Sequence, residues 1–215
     1  MVRLTKIYTK FGDHGRTMLG DGSTTTKHCP RVDAYGTVDE ANAAIGVAVA
    51  CITQPTTPEP KPTTALPFIQ TVHAELVRIQ NDLFDVGADL CVPVEPDEDT
   101  TKKLRTIPTQ TLRLEHAIDR YNQPLAPLNS FILPGGTPLA AHLHLARTIT
   151  RRAERLVSHL LELEPDRTNK EALIYLNRLS DLLFVLARAV NHQHQPTEPG
   201  GATGGDILWK PGQNR

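Results

Sequence analysis

Four arginines fall within nine residues of the run HLHLARTITRRAERLV: Arg147, Arg151, Arg152 and Arg155. At 3.6 residues per turn, Arg147, Arg151 and Arg155 share one stripe of a helix. The opposite stripe is apolar: Leu139, Leu143, Ala146, Ala153, Leu156 and Leu160. Only Glu154 offers an acidic partner nearby. A column of planar, permanently charged forks suits an anion with several oxygens, above all a polyphosphate. An ordinary solvated basic face is the competing reading of the same stripe.

Two further stretches bear on that choice. In YTKFGDHGRT, Gly12 and Gly15 bracket Asp13 and His14, so backbone can approach a ligand closely while Lys10 and Arg16 supply positive charge. A plain turn accounts for this segment equally well. In YLNRLSDLLFVLAR, Asn177 is a polar residue beside an apolar stripe, either a ligand contact or a satisfied packing residue. Phe131, ahead of Ile132 and Leu133, reads most simply as a plug for the end of a bundle. Asp39 in GTVDEAN is placed to balance one arginine.

Other chemistries lack their residues. There is no Walker-type phosphate loop, no HExxH, no GxSxG and no kinase set. A ferritin-like di-metal bundle needs Glu-x-x-His on two helices, and the chain has none. His142 and His144 are two apart and point to different sides of a helix, so no metal site is expected.

These residues need a scaffold. With 215 residues, few aromatics and abundant Leu and Ala, the chain is expected to form one helix-on-helix domain. The net charge of −1 argues against a nucleic-acid partner. Three scattered cysteines, Cys29, Cys51 and Cys91, indicate neither a disulfide framework nor a zinc site. With no leader-like N-terminus and no span-length apolar run, a soluble, reduced, cytoplasmic protein is expected, with no membrane partner.

Residues 1–30 lack helical periodicity and read as an extended segment and loop. Apolar periodicity predicts helices from Val32 to about Thr53, then over about 66–90, 108–122, 138–164 and 167–194. Thr137 before Pro138 is an N-cap and first-turn pair for the arginine helix. The expectation is an all-α five-helix bundle over residues 1–195, interrupted by a proline-rich linker at 54–65. A flexible Gly/Pro-rich tail, 196–215, carries Trp209, the only tryptophan.

Taken together and in order, KIYTKFGDHGRT, PRVDAYGTVDEANAAIG, IQNDLFDVGADL, FILPGGT, ARTITRRAER and LNRLSDLLFVLAR resemble the PduO-type ATP:cob(I)alamin adenosyltransferases. The resemblance spans residue 6 to about 190. It implies a homotrimer of five-helix bundles with active sites between subunits, transferring the 5′-deoxyadenosyl group of ATP to cob(I)alamin and releasing triphosphate. ATP with Mg²⁺ would be held by Thr9, Lys10, Phe11, Gly12, Thr17, Met18 and Lys27 of the N-terminal loop. The run Arg151, Arg152, Ala153, Glu154 and Arg155 and the later Asn177 would complete that site. Phe131 and Arg151 would carry catalysis, Phe131 by crowding the lower face of the corrin. Asp39 and Arg147 would form a salt bridge across subunits. A flavin or other reductase and an adenosylcobalamin-dependent mutase are the implied partners. A non-catalytic bundle that binds ATP or adenosylcobalamin for sensing or delivery is the alternative. Trp209 on a mobile arm would suit a lid over bound corrin.

Overall fold

A computed structural model of the chain describes residues 7–53, 65–99, 102–193 and 205–215. Most of the residues read as a proline-rich linker, and the tail before residue 205, lie outside these. Five helices carry the architecture: α1 (Pro30–Thr53), α2 (Ala65–Cys91), α3 (Pro108–Asn122), α4 (Pro138–Leu163) and α5 (Lys170–Gln193). Helix α1 packs against α2 and α4, and α5 packs against α4 and α3. The buried seam of α4 runs through Leu139, Leu143, Ala146, Thr150, Ala153, Val157 and Leu160, alternating steps of four and three. Thr150, the one polar residue in that seam, returns its hydroxyl to the Ala146 carbonyl at 2.9 Å.

Local chemistry sets the helix ends. Thr137 caps α4, its hydroxyl accepting the Ala140 N–H at 3.2 Å, and Pro138 takes the first turn as expected. At the start of α3 the Gln110 side chain reaches back to accept the Ile107 N–H at 3.0 Å. Helix α1 begins two residues before the expected Val32, because Pro30 is itself a first-turn residue. Helix α5 starts later than expected; Pro165–Arg167 form a separate 3₁₀ turn that ends α4.

Buried arginines tie the helix ends together. Arg31, 2% exposed, donates to Leu90 O at 2.7 Å, Glu164 Oε2 at 2.6 Å, Arg167 O at 2.9 Å and Thr168 Oγ1 at 3.1 Å, joining α1, α2 and the end of α4. Arg105 holds the loop after α2 through Asp89 at 2.8 Å and Glu98 at 2.6 Å. Such pairs cost desolvation, which their several hydrogen bonds offset, and they favour one packing.

Two regions differ from expectation. The N-terminal segment is more than an extended loop: a 3₁₀ turn at Phe11–His14 leads into a hairpin of β1 (Arg16–Met18) and β2 (Thr24–Thr26), with Thr17 facing Thr25. Asp21 closes the turn by accepting the Ser23 N–H at 2.8 Å, and Gly22 supplies a φ of 85°.

The tail from residue 205 is docked, where flexibility was expected. Leu208 forms an antiparallel bridge with Ile132, and Trp209 N–H donates to Phe131 O at 2.7 Å. Arg188 of α5 pairs with Asp206 at 2.7 Å. The physical reason is a long-range backbone pairing plus a buried ion pair, neither of which leaves a local signal.

Candidate functional site

The loop between α3 and α4 brings Phe131 to the end of the bundle. Its backbone is fixed from two directions. The tail pairs with it through the Trp209 bond, through Leu133 N–H to Ile207 O at 2.7 Å, and through Ser130 Oγ to Trp209 O at 2.9 Å. Asn191 of α5 accepts the Thr137 N–H at 3.0 Å and donates to Gly135 O at 3.1 Å. Gly136 sits at φ 101°, and a Cβ there would lie 2.3 Å from Asn191 side-chain atoms, so only glycine fits.

Held this way, Phe131 is 78% exposed, its ring 6.1 Å from the Trp209 ring. The two aromatics border a cavity of about 700 Å³ whose wall also includes Ile132, Phe184, His144 and Arg147. A mostly apolar, open-sided pocket of this size suits a large flat ligand.

His144 and Phe184 pack edge to face at 6.2 Å. Burial, then the Arg147 charge, push the His144 imidazole below its usual range, with Asp206 opposing. A base whose folded value is depressed stabilises the protein above the unfolded value, about 6.5, and that contribution is lost as pH falls below it. Burial, then the Arg151 charge, lower Arg147 beneath the usual guanidinium value.

Along α4 the four arginines divide. Arg147 is half-buried at the cavity wall. Arg151 is exposed, with only a 3.8 Å approach to Glu154. Arg152 turns to the other side and pairs with Glu40 of α1. Arg155 folds back on the Arg151 carbonyl at 3.2 Å. Ala153 is buried against the core. Asn177 donates to Glu154 at 2.8 Å, and the two face a shallow groove with Arg155, Ser158 and Arg178. Arg178 pairs with Glu115 at 2.8 Å as well as with Asp181, one turn on, at 3.5 Å.

A smaller groove of about 180 Å³ lies between Arg147, Arg151, Ser180, Asp181 and Phe184. Arg147 and Phe184 belong both to it and to the aromatic cavity. A cationic groove and an apolar cavity therefore share one wall.

The N-terminal loop gathers its own cation. Lys10 adopts a left-handed turn at φ 63°, and Lys27 N–H bonds to Gly15 O at 2.9 Å. The Lys27 ammonium lies against Gly12, where a Cβ would meet Nζ at 2.9 Å. Gly12 thus permits the close approach that brings Lys27 into the loop. Thr9, Phe11 and Met18 are exposed on the same segment, and Thr17 is half-exposed. The hairpin hangs from the end of α2 through Gly20 N–H to Cys91 O at 3.0 Å. Asp39 is exposed on α1, and among the described residues it has no ion-pair partner in its own chain.

Sequence reading missed Phe184 and His144. Phe184 shares a face of α5 with Asn177 and Asp181 at steps of four and three, and His144 precedes Arg147 by three. Those spacings were the available signal. Because Trp209 is the only tryptophan, its emission reports tail docking. Asp206→Asn is expected to weaken the Arg188 pair and shift that emission to the red; an unchanged spectrum would show that the backbone bridge alone holds the tail.

These features define a helical bundle in which a groove lined by Arg147 and Arg151 adjoins a larger, mostly apolar cavity. The sequence profile of the cobalamin adenosyltransferases matches residues 7–190, and the chain belongs to that family. A corrinoid adenosyltransferase of Mycobacterium leprae is 45% identical over 98% of both chains. The human corrinoid adenosyltransferase MMAB is 37% identical over 86% of this chain and 69% of its own. Among solved structures, a phenylalanine-to-histidine variant of the PduO-type ATP:corrinoid adenosyltransferase from Lactobacillus reuteri, complexed with cobalamin and ATP, superposes with a TM-score of 0.77. It is 38% identical, over 96% of this chain and 97% of that one. No helix among the described residues is long and apolar enough to cross a membrane.

Proposed function

We infer that the chain transfers the 5′-deoxyadenosyl group of ATP to cob(I)alamin. Cobalt(I) supplies the electron pair for a new cobalt–carbon bond at C5′. The C5′–O bond breaks, its electron pair leaving with inorganic triphosphate. The nucleophile belongs to the substrate, so the protein needs no catalytic triad; its work is to orient two ligands and stabilise a departing polyanion. The observation that carries this reading is the wall shared by the Arg151 groove and the Phe131 cavity. Transfer between two ligands requires them to touch, and this is where they would.

In this reading Arg151, Lys10 and Lys27 hold the triphosphate. Asn177, by fixing Glu154, shapes the groove beside them. Arg155 borders that groove, while Arg152 acts through its pair with Glu40. Mg²⁺ accompanying ATP would offset charge on the departing triphosphate beside Arg151, Lys10 and Lys27. The aromatic cavity takes the corrin, with Phe131 at its lower face.

The site is completed by a second copy of the chain. The nucleotide hairpin hangs at the end where Arg31 joins α1 to Glu164, whereas Arg151 lies thirteen residues back along α4 from Glu164, roughly 20 Å at the helical rise. A homotrimer with sites between subunits brings a neighbour's loop to this helix. It also offers exposed Asp39 as the partner that half-buried Arg147 lacks. Arg147→Asp should therefore weaken assembly in size-exclusion light scattering, and adding Asp39→Arg should restore it; a double variant no better than the single one rejects the pairing. A flavin or other reductase supplying cobalt(I), and an adenosylcobalamin-dependent mutase receiving the product, are the partners that the family resemblance suggests.

The test is incubation with ATP and chemically reduced cobalamin. Expected is loss of the cobalt(I) spectrum, growth of an alkylcobalamin spectrum and one triphosphate per product. Tight binding of both ligands without triphosphate release would favour the sensing or delivery alternative.

A further inference from the structure

One wall of the aromatic cavity is polar and unpartnered. His144 is 3% exposed, and neither ring nitrogen has a hydrogen-bond partner. One helical turn on, the Arg147 Nε is buried and unpartnered as well. Both side chains line the cavity, beside Phe131, Phe184 and Trp209. Of the eight buried side-chain atoms without a partner among the described residues, three sit together here; the others, such as Arg31 Nε and Tyr121 OH, belong to residues that do not line this cavity. A leucine at 144 would pack on Phe184 without the penalty of two orphaned nitrogens.

The geometry points to His144, with Arg147 Nε, as the hydrogen-bonding contact for a peripheral carboxamide of the corrinoid, fixing which rim of the macrocycle enters the cavity. This rests on the corrinoid reading above. A neutral imidazole offers one donor and one acceptor, and the guanidinium Nε adds a donor. A primary amide is the complement, with a carbonyl to accept and an N–H to give. Corrins carry such amides around their rim, while their faces are apolar enough for Phe131, Phe184 and Trp209. A carboxylate or ester could use the donors but would leave the imidazole's bare nitrogen without an N–H.

His144→Phe keeps a ring against Phe184 and removes both nitrogens; His144→Gln keeps a donor and an acceptor. Each trimer, saturated with ATP, is titrated with cobalamin and with the heptamethyl ester of cobyrinic acid, whose rim has no amide N–H. Expected for His144→Phe is about tenfold weaker cobalamin binding, with ATP affinity and Tm unchanged and the parent's preference for amide over ester collapsed. His144→Gln should recover most of both. Cobalamin binding as tight as the parent's, or equal losses for the amide and ester corrinoids, overturns the assignment. If the phenylalanine variant fails to fold, His144→Leu read against His144→Gln makes the same comparison. A parent protein that binds neither corrinoid sinks the corrinoid reading itself, a separate failure.

Discussion

Phe131→Ala is expected to bind ATP as tightly as the parent and to lose turnover by about a hundredfold or more when the reaction starts from cobalt(II). That factor corresponds to about 2.7 kcal/mol of barrier. The ring stands 78% exposed at the mouth of its cavity, so truncating it removes little core packing. In the proposed reaction, what it removes is an apolar body at the corrin's lower face. Without it, water or the nucleotide base can ligate cobalt from below, and cobalt(II) with an axial ligand is harder to reduce. The backbone at 131 is held by the tail and by Asn191, so the lesion is confined to the side chain. Stopped-flow reduction and alkylation separate the steps: starting from pre-reduced cobalt(I), the variant should regain most of its rate. Near-normal turnover from cobalt(II) would remove Phe131 from the mechanism.

Arg151→Ala should weaken ATP binding by one to two decades while leaving the fold and assembly intact. A charge-assisted hydrogen bond to phosphate contributes about 1.5–3 kcal/mol, which sets that range. Within the chain Arg151 makes only a loose 3.8 Å approach to Glu154, an exposed contact of little energetic worth. Arg151→Lys keeps the charge and loses the planar fork, and should fall between the two. Calorimetry returning an unchanged ATP affinity for the alanine variant would place the triphosphate elsewhere. Arg152→Ala provides the contrast: with its guanidinium turned to Glu40, its effect should be small.

The helices were legible because each buries a periodic stripe, and their ends were legible where proline or threonine marks them, as at Thr137, Pro138 and Pro108. The bridge between Ile132 and Leu208 was not, since a pairing across 76 residues leaves no local pattern. Arg31, Arg105 and Arg188 also escaped notice. Periodicity treats every arginine as a surface residue, and nothing in the chain's order shows that Glu164, Asp89 or Asp206 will meet them in the interior. The N-terminal hairpin did carry a signal in Asp21–Gly22 amid threonines, a turn pair between β-branched residues. At the site, the arginine helix stood out from residue types alone, whereas Phe131 read as a plug and was singled out only by the family resemblance. His144 and Phe184 did not stand out, because an imidazole or a phenyl ring on a helix looks like packing until its neighbours are known.

Position 131 behaves as a socket. Its main chain is clamped by the Trp209 amide on one side and moored beyond Gly135 by Asn191 on the other, so the peptide path does not rely on the phenyl group. Protein engineers can therefore treat the residue as an interchangeable fitting, seating fluorinated, photoreactive or metal-coordinating amino acids there with the surrounding framework left undisturbed.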